Sequence, residues 1–222
     1  MRVYAFLIAF MFSIPLFAHD VSGTIEVILK GDSKKTDLSG VLVYLDSANA
    51  ESKVPAEFVK KNYTMATKNK QITPRVLAVP LGAGVQFPNF DSIFHNLFSV
   101  SSPNQFDLGI YKGGDSKTQV FQNPGIVKVF CNVHPQMSAT IVVNTTQYST
   151  VADANGNFDL GKIPNGVYDV KAYTEEGQTT ERITVGDVPQ KVRLSIDARN
   201  FKKLRHKNKF GKDYSTNEDE RY

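Results

Sequence analysis

The chain has 222 residues and a formal net charge of +4 at pH 7. A net charge this small on a chain of this length excludes a protein that binds nucleic acid over its whole surface. The length suffices for one large or two small domains. The 15 phenylalanines and 9 tyrosines, without long apolar stripes at helical spacing, favour β structure.

The first 18 residues, MRVYAFLIAFMFSIPLFA, have the organisation of a secretory signal peptide. Arg2 gives a short positive region, an apolar run extends to Phe17, and Ala18 is a small residue suited to cleavage. We therefore expect a mature periplasmic chain that begins at His19. No later stretch approaches the roughly 20 apolar residues that a spanning helix needs, so no membrane span is predicted.

Short runs typical of β-strands follow, beginning with VSGTIEVIL (21–29) and VLVYLD (41–46). The polar segment 47–71 is less regular, and a short helix is expected around 56–61. Further strands are predicted in ITPRVLAVP (72–80), GVQFPN (84–89), HNLFSVS (95–101), FDLGIY (106–111), KTQVFQN (117–123), GIVKVFCNV (125–133) and SATIVVN (138–144).

Residues 149–197 carry turn signals every few positions between short alternating runs, which is typical of a small antiparallel sandwich. Within them, ADANGNFDLGKIPNGVYDVKAY resembles carboxypeptidase-regulatory-like or transthyretin-like β-sandwich domains, which implies a structural or binding role. RNFKKLRHKNKFGK (199–212) has seven Lys or Arg and no acid. This tail is predicted to be mostly disordered or laid along a surface, with His206 solvated.

Cys131 is the only cysteine of the chain. In an exported protein a lone cysteine is buried and inert, paired with another chain, or held as a metal thiolate. His134 and Met137 follow it at three-residue intervals in FCNVHPQM, and His95 lies in FPNFDSIFHNLFS. A thiolate, two imidazoles and a thioether suit copper, with zinc as the main competitor. Simple core packing remains the alternative for each residue taken alone.

These residues carry a resemblance to the cupredoxin, or blue copper, family. The order F-P-N…D…H-N…F-S, then F…L-G, then P-G…V…C-x-x-H-x-x-M before a valine-rich strand is similar to that family over roughly 21–143. The short ligand loop most resembles that of the amicyanin type, among the plastocyanin-like members. The resemblance implies a Greek-key β-sandwich with one type 1 copper ion, in which His95, Cys131 and His134 are equatorial ligands and Met137 is axial.

The layout with an appended sandwich also resembles exported methylamine-utilization-type proteins. The predicted all-β chain then divides into a signal peptide (1–18), a cupredoxin-like copper domain (19–143), a small antiparallel sandwich (144–197) and a basic, flexible tail (198–222). Deletion of residues 199–222 is expected to leave the copper spectrum intact.

Two roles in the surroundings of the site are also expected. Asn96 either ties the two ligand loops together, as the resemblance implies, or is an ordinary turn residue. Water is expected to be kept from the ion by a set of apolar neighbours, namely Phe87, Phe90, Phe94, Leu97, Phe98 and Phe130.

The leading interpretation is a periplasmic protein that carries single electrons between redox protein partners, by way of the His134 edge at an apolar surface patch. The alternative is an exported copper-binding or scaffold module that sequesters copper or docks a redox enzyme. No hydrolytic triad, phosphate loop or pair of carboxylates at a recognisable spacing is present in the sequence. No enzyme activity is therefore predicted.

Overall fold

The structure is a computed structural model that describes residues 18–48, 54–203 and 206–214. Residues 1–17 of the predicted signal peptide lie outside the described residues. Strands dominate the described part of the chain, which contains one short α-helix, so the predicted all-β class is confirmed. Within the same residues, no helix is both long enough and apolar enough to cross a membrane.

The strands are short, as the frequent Gly, Pro and Asp residues predict. In chain order they are β1 (Ala18–Ile28), β2 (Leu42–Ser47), β3 (Tyr63–Thr64), β4 (Ala66–Lys68), β5 (Gln71–Thr73), β6 (Val76–Pro80), β7 (Gly84–Pro88), β8 (Leu97–Ser99), β9 (Phe106–Asp107), β10 (Ser116–Val120), β11 (Gly125–Cys131), β12 (Ser138–Asn144), β13 (Ser149–Val151), β14 (Asn157–Pro164), β15 (Gly166–Tyr173), β16 (Gln178–Val185) and β17 (Gln190–Asp197). The α-helix, α1 (Ala56–Val59), confirms the short helix predicted around 56–61.

Two hydrophobic cores divide the described residues between two sandwiches. The inner sandwich, residues 63–144, packs the sheet β10-β7-β3 against the sheet β6-β12-β11-β8-β9, and its core includes Phe87 and Ile141. The flanking sandwich, residues 18–47 and 149–197, packs β14-β1-β17 against β13-β2-β15-β16. Its pairing is antiparallel except between β1 and β17, which run parallel.

The first two strands lie in the flanking sandwich, which differs from the predicted copper domain of residues 19–143. β1 pairs with β14 and β17, and β2 pairs with β13 and β15. The sequence did not indicate this arrangement, because alternation identifies the buried face of a strand without identifying its partner. The inner sandwich is therefore inserted between two halves of the flanking one.

The two connections to the inner sandwich meet at its base. The Asp46 carboxylate accepts hydrogen bonds from the backbone N–H and the hydroxyl of Thr145, at 2.8 and 3.1 Å. The Thr145 hydroxyl also accepts a hydrogen bond from the Ser47 N–H at 3.0 Å. These contacts hold the chain's entry into the insertion beside its exit.

A third, small cluster joins the two sandwiches. Leu42 and Tyr173 of the flanking sandwich pack against Val142, on the face of β12 that points away from the inner core. The Tyr173 hydroxyl also lies 3.2 Å from the Thr140 hydroxyl, and its ring is 4.8 Å from Nζ of Lys128. The flanking sandwich thus covers the outer face of β11 and β12.

The run ITPRVLAVP, predicted as one strand, is divided into β5 and β6. Pro74 and Arg75 separate the two, and proline has no backbone N–H to donate to a sheet. β5 pairs with β4 in a two-stranded hairpin, whereas β6 runs parallel to β12. The strand predicted at SATIVVN is confirmed as β12 with the same bounds.

Candidate metal centre

The register of β8 and β11 brings the predicted ligands to one end of the inner sandwich. Cys131 is the last residue of β11 and pairs with Leu97, so His95 lies just beyond that pair on the neighbouring segment. His134 and Met137 lie in the tight loop between β11 and β12. Residues far apart in sequence therefore converge because two strands end side by side.

The three strongest donors form a buried cluster. Cys131 Sγ lies 3.7 Å from Nδ1 of His95 and 3.7 Å from Nδ1 of His134, and the three donor atoms all lie within 4.8 Å of one another. The exposed fractions are 0% for His95 and Cys131 and 6% for His134. Across residues 18–48, 54–203 and 206–214, no other group of three His, Cys, Asp or Glu side chains could hold a metal ion.

These separations fit an ion at the centre of the cluster. An ion about 2.0 Å from an imidazole nitrogen and about 2.3 Å from a thiolate sulfur, in trigonal geometry, places nitrogen and sulfur about 3.7 Å apart. The observed separations of 3.7 Å between Cys131 Sγ and each imidazole nitrogen are close to this value. The two sulfur–nitrogen separations are therefore already those that coordination requires.

Asp91 holds the His95 ring in the required tautomer. Its Oδ2 lies 2.8 Å from His95 Nε2. Burial alone raises the pKa of Asp91, but hydrogen bonds from His95 and from the backbone N–H groups of Lys70 and Asn69 outweigh it and leave that pKa below its usual value. Burial lowers the pKa of His95 despite this carboxylate. The neutral ring thus donates from Nε2 and turns the lone pair of Nδ1 towards Cys131.

The surroundings of Cys131 favour its thiolate form only when a cation is bound beside the sulfur. Burial raises the pKa of the Cys131 thiol, and backbone N–H groups of Asn96, Val133 and His134 lower it in part. A buried sulfur with three N–H groups nearby is prepared for negative charge but lacks the positive partner that would stabilise it. A bound metal ion supplies that charge.

The ligand loop is closed by its own backbone. The Met137 C=O accepts from the Cys131 N–H at 3.2 Å, and the Met137 N–H donates to the His134 C=O at 3.1 Å. The Met137 side chain is 1% exposed and belongs to the inner core. Its position on the loop is compatible with the predicted axial role.

The expected tie through Asn96 is present in the backbone. The Asn96 C=O accepts from the Asn132 N–H at 2.8 Å, which joins the segment after His95 to the loop after Cys131. The Asn96 side chain does not reach the ligand loop and instead donates to Asp107 Oδ1 and the Gly109 C=O.

The predicted dry surroundings are correct in part. Phe87, Leu97 and Phe98 are buried, whereas Phe90 and Phe94 are 65% and 51% exposed. These two therefore cannot shield an ion as predicted. The His134 residue is 6% exposed, and the electron exit expected at its edge stays a prediction.

The tail contains contacts that the sequence did not indicate. Residues 206–214, here named the strap, lie along the surface of the inner sandwich, which is one of the two arrangements predicted for the tail. The His206 ring stacks on Phe130 with centroids 4.1 Å apart and planes 18° from parallel. His206 is half-buried rather than solvated as predicted.

Asp91 was also missed, although its place four residues before His95 was a usable signal. Metal-binding histidines commonly donate their second ring N–H to a carboxylate. The strap residues offered no comparable signal, since no regular pattern relates them to the ligands.

No protein-family model and no curated protein sequence matches the chain. Among solved structures, it is similar to a copper-containing nitrite reductase from Thermus scotoductus SA-01, with 24% identity, 37% of this chain covered and a TM-score of 0.36. The match spans 22% of that reductase.

Two smaller proteins are matched over almost their whole length. A purple cupredoxin from Nitrosopumilus maritimus has 24% identity, with 37% of this chain and 100% of that chain covered and a TM-score of 0.34. An oxidised amicyanin variant has 17% identity, with 46% and 99% covered and a TM-score of 0.36. Each likeness covers less than half of this chain, so the donor atoms themselves carry the functional proposal.

Proposed function

We propose that His95, Cys131 and His134, with Met137 as a weak axial ligand, bind one copper ion in a type 1 site. In this proposal the protein carries single electrons between redox partners in the periplasm. The observation that carries the proposal is the buried set of one sulfur and two imidazole nitrogens within 4.8 Å of one another. One thiolate, two imidazoles and a thioether are the ligand set of electron-transfer copper sites.

Three features of the fold would stabilise such an ion in its site. Asp91 fixes the tautomer of His95, the backbone N–H groups around Cys131 stabilise its thiolate, and the inner core excludes water. Copper, when bound, supplies a one-electron change between Cu(II) and Cu(I). Donors held in place by the fold move little during that change.

We propose a carrier rather than an enzyme because the site offers little access to a substrate. A catalytic metal site keeps an open position for water or substrate. Here the side chains of His95 and Cys131 are fully buried, and that of His134 is 6% exposed. An electron can enter such a site through covalent and hydrogen bonds, whereas a substrate cannot.

Exposed apolar side chains suggest where a redox partner would dock. Phe94 precedes His95, and Ile110 precedes Tyr111, whose backbone pairs with His95 in both directions. Phe94 and Ile110 are 51% and 68% exposed. Large apolar residues at a surface next to a buried site suit a transient protein contact.

The low exposure of His134 favours a second candidate function, which is to hold copper without cycling it. A carrier needs rapid electron exchange, whereas a sequestering protein needs only tight binding of Cu(I). Rapid reoxidation and rereduction of the loaded protein by small redox reagents would support the carrier. Redox exchange slower than metal loss would support sequestration.

Addition of Cu(II) to the purified, metal-free protein tests the site. Charge transfer from a thiolate to Cu(II) is expected to give an intense visible absorption, and Cys131→Ser is expected to abolish it. Binding of zinc with no coloured copper complex would reject the type 1 assignment. A Cys131→Ser protein that remained coloured would show that the sulfur is not a ligand.

A further inference from the structure

The strap contacts both chain segments that carry the predicted ligands. Lys209 donates its backbone N–H to Asn132 Oδ1 at 3.0 Å, on the ligand loop. Its ammonium lies 2.7 Å from Asp107 Oδ2. Asp107 in turn accepts a hydrogen bond at 2.5 Å from Nδ2 of Asn96, the residue after His95. One lysine therefore links the segment of His95 to the loop of His134.

A second set of contacts holds the end of β11. The Tyr214 hydroxyl donates to the backbone C=O of Cys131 at 2.8 Å. Because its single proton is used there, the tyrosine oxygen accepts from Nδ1 of His206, 3.1 Å away. His206 is itself stacked on Phe130, the residue before Cys131. The strap thus binds three consecutive residues, from Phe130 to Asn132.

These contacts are specific side-chain interactions and not the loose association expected of a basic tail. The strap also has its own turn, in which Asn208 Oδ1 accepts from the N–H groups of Phe210 and Lys212, both at 3.0 Å. A turn closed by an asparagine side chain sets the direction of the segment. Lys209 lies within that turn. From there its backbone N–H contacts Asn132 and its ammonium contacts Asp107.

We propose that the strap positions the metal site, with Lys209 and Tyr214 as positioning residues that keep the two ligand-bearing segments together. This inference rests on the proposed metal-binding role of His95, Cys131 and His134. Donors at the ends of two strands separate when those ends open locally. By joining the segments from outside, the strap raises the free energy of opening without contributing a ligand.

The reactivity of Cys131 in the metal-free full chain tests this directly. Cys131 is the only cysteine and is fully buried, so a thiol reagent labels it through opened molecules. Under native conditions the labelling rate follows the population of those molecules. Tyr214→Phe is expected to raise the rate about tenfold, the factor produced by a loss of about 1.4 kcal/mol. Lys209→Ala removes a partly exposed ion pair and is expected to raise it about two- to fivefold.

Lys212→Ala is the matched control, because Lys212 lies in the same strap and is exposed, and its contact there is made by its backbone. It is expected to label at the original rate, and Lys209→Arg is expected to restore most of the protection through its charge. If Lys209→Ala and Tyr214→Phe label no faster than Lys212→Ala, the strap does not restrain the site.

A second measurement separates positioning of the donors from simple covering of the loop. In copper-loaded protein, Tyr214→Phe is expected to shift the visible band or the reduction potential, and Lys212→Ala to shift neither. The contact of Tyr214 with Cys131 thus replaces the expectation from sequence that deletion of residues 199–222 leaves the copper spectrum intact. Faster labelling with an unchanged band and potential would overturn the positioning role. The labelling measurement needs no metal. It therefore shows whether the strap restrains the segments around Cys131 even if the protein binds no copper.

Discussion

His95 Nε2 lies 2.8 Å from Oδ2 of Asp91, a residue four positions earlier on the same irregular segment. This contact occupies the ring nitrogen that faces away from Cys131. It leaves Nδ1, at 3.7 Å from Cys131 Sγ, as the atom available to a metal. The orientation of one candidate ligand is thus set by a neighbour that is not a ligand.

Asp91→Asn is expected to weaken metal binding about ten- to hundredfold, the usual effect of losing the partner of a metal-binding histidine. The amide has nearly the same shape but lacks the charge that orients the ring. A chelator competition with Cu(I) measures the change. Asp187→Asn, at an exposed acid, is the control and is expected to bind as the unmodified protein does. Equal affinity in both variants would mean that Asp91 does not orient His95.

Met137→Leu is expected to retain copper and the visible band while changing the reduction potential. The thioether is a weak axial ligand in the proposed site, and leucine fills a similar volume. Met65→Leu is the matched control, because Met65 is also buried in the inner core. Voltammetry of the three proteins compares the potentials. A Met137→Leu potential equal to that of Met65→Leu would remove Met137 from the ligand set.

Acid is expected to release the strap. Burial raises the pKa of Asp107, but hydrogen bonds from Lys209, Asn96 and the Gly109 N–H outweigh it, so its folded pKa lies below the usual value. A carboxyl whose pKa is lowered by folding stabilises the fold above its unfolded pKa of about 3.9. That stability is lost as the pH falls through the folded value.

Hydrogen exchange of the strap amides is therefore expected to accelerate, relative to intrinsic rates, below about pH 4. Asp107→Asn is expected to show the same loss of protection at neutral pH. Exchange protection that is equal at neutral and acid pH would contradict the role of the ion pair between Asp107 and Lys209.

Ile141→Ala is expected to lower the free energy of unfolding by about 2–5 kcal/mol, because it leaves a cavity in the inner core. Ile141 is fully buried between the two sheets of the inner sandwich. Val188→Ala, at a residue 61% exposed, is expected to change stability by no more than about 0.5 kcal/mol. Denaturant unfolding measures both. Similar losses in the two variants would contradict the assignment of this core.

The ligand loop could be predicted from sequence because its residues are neighbours in the chain. The spacing of Cys131, His134 and Met137 is readable in eight letters, and the strands on either side alternate clearly. His95 could be included because its residue type completed a copper-like set. The structure brings His95, Cys131 and His134 together, whereas the axial role of Met137, which the family resemblance implies, stays a prediction.

The pairing of β1 and the docking of the strap could not be predicted in the same way. Strand alternation in VSGTIEVIL gives a buried face, but its partners β14 and β17 are selected by the whole fold. Tyr214 and Cys131 are 83 residues apart and meet through one hydroxyl and one carbonyl. Such single contacts leave no periodic pattern, and the basic composition of the tail indicated only that it is disordered or lies along a surface.

The side chains of Ser22 and Lys191 touch across β1 and β17 although 169 residues separate them. During synthesis, β1 and β2 leave the ribosome long before their partner strands exist. The residues of the inner sandwich are complete earlier, and its ends are joined at Asp46 and Thr145. Once folded, it replaces a long flexible loop by a rigid body with adjacent ends, which lowers the entropic cost of closing the flanking core. A folded inner sandwich would thereby hold the two parts of the flanking sandwich close together in space.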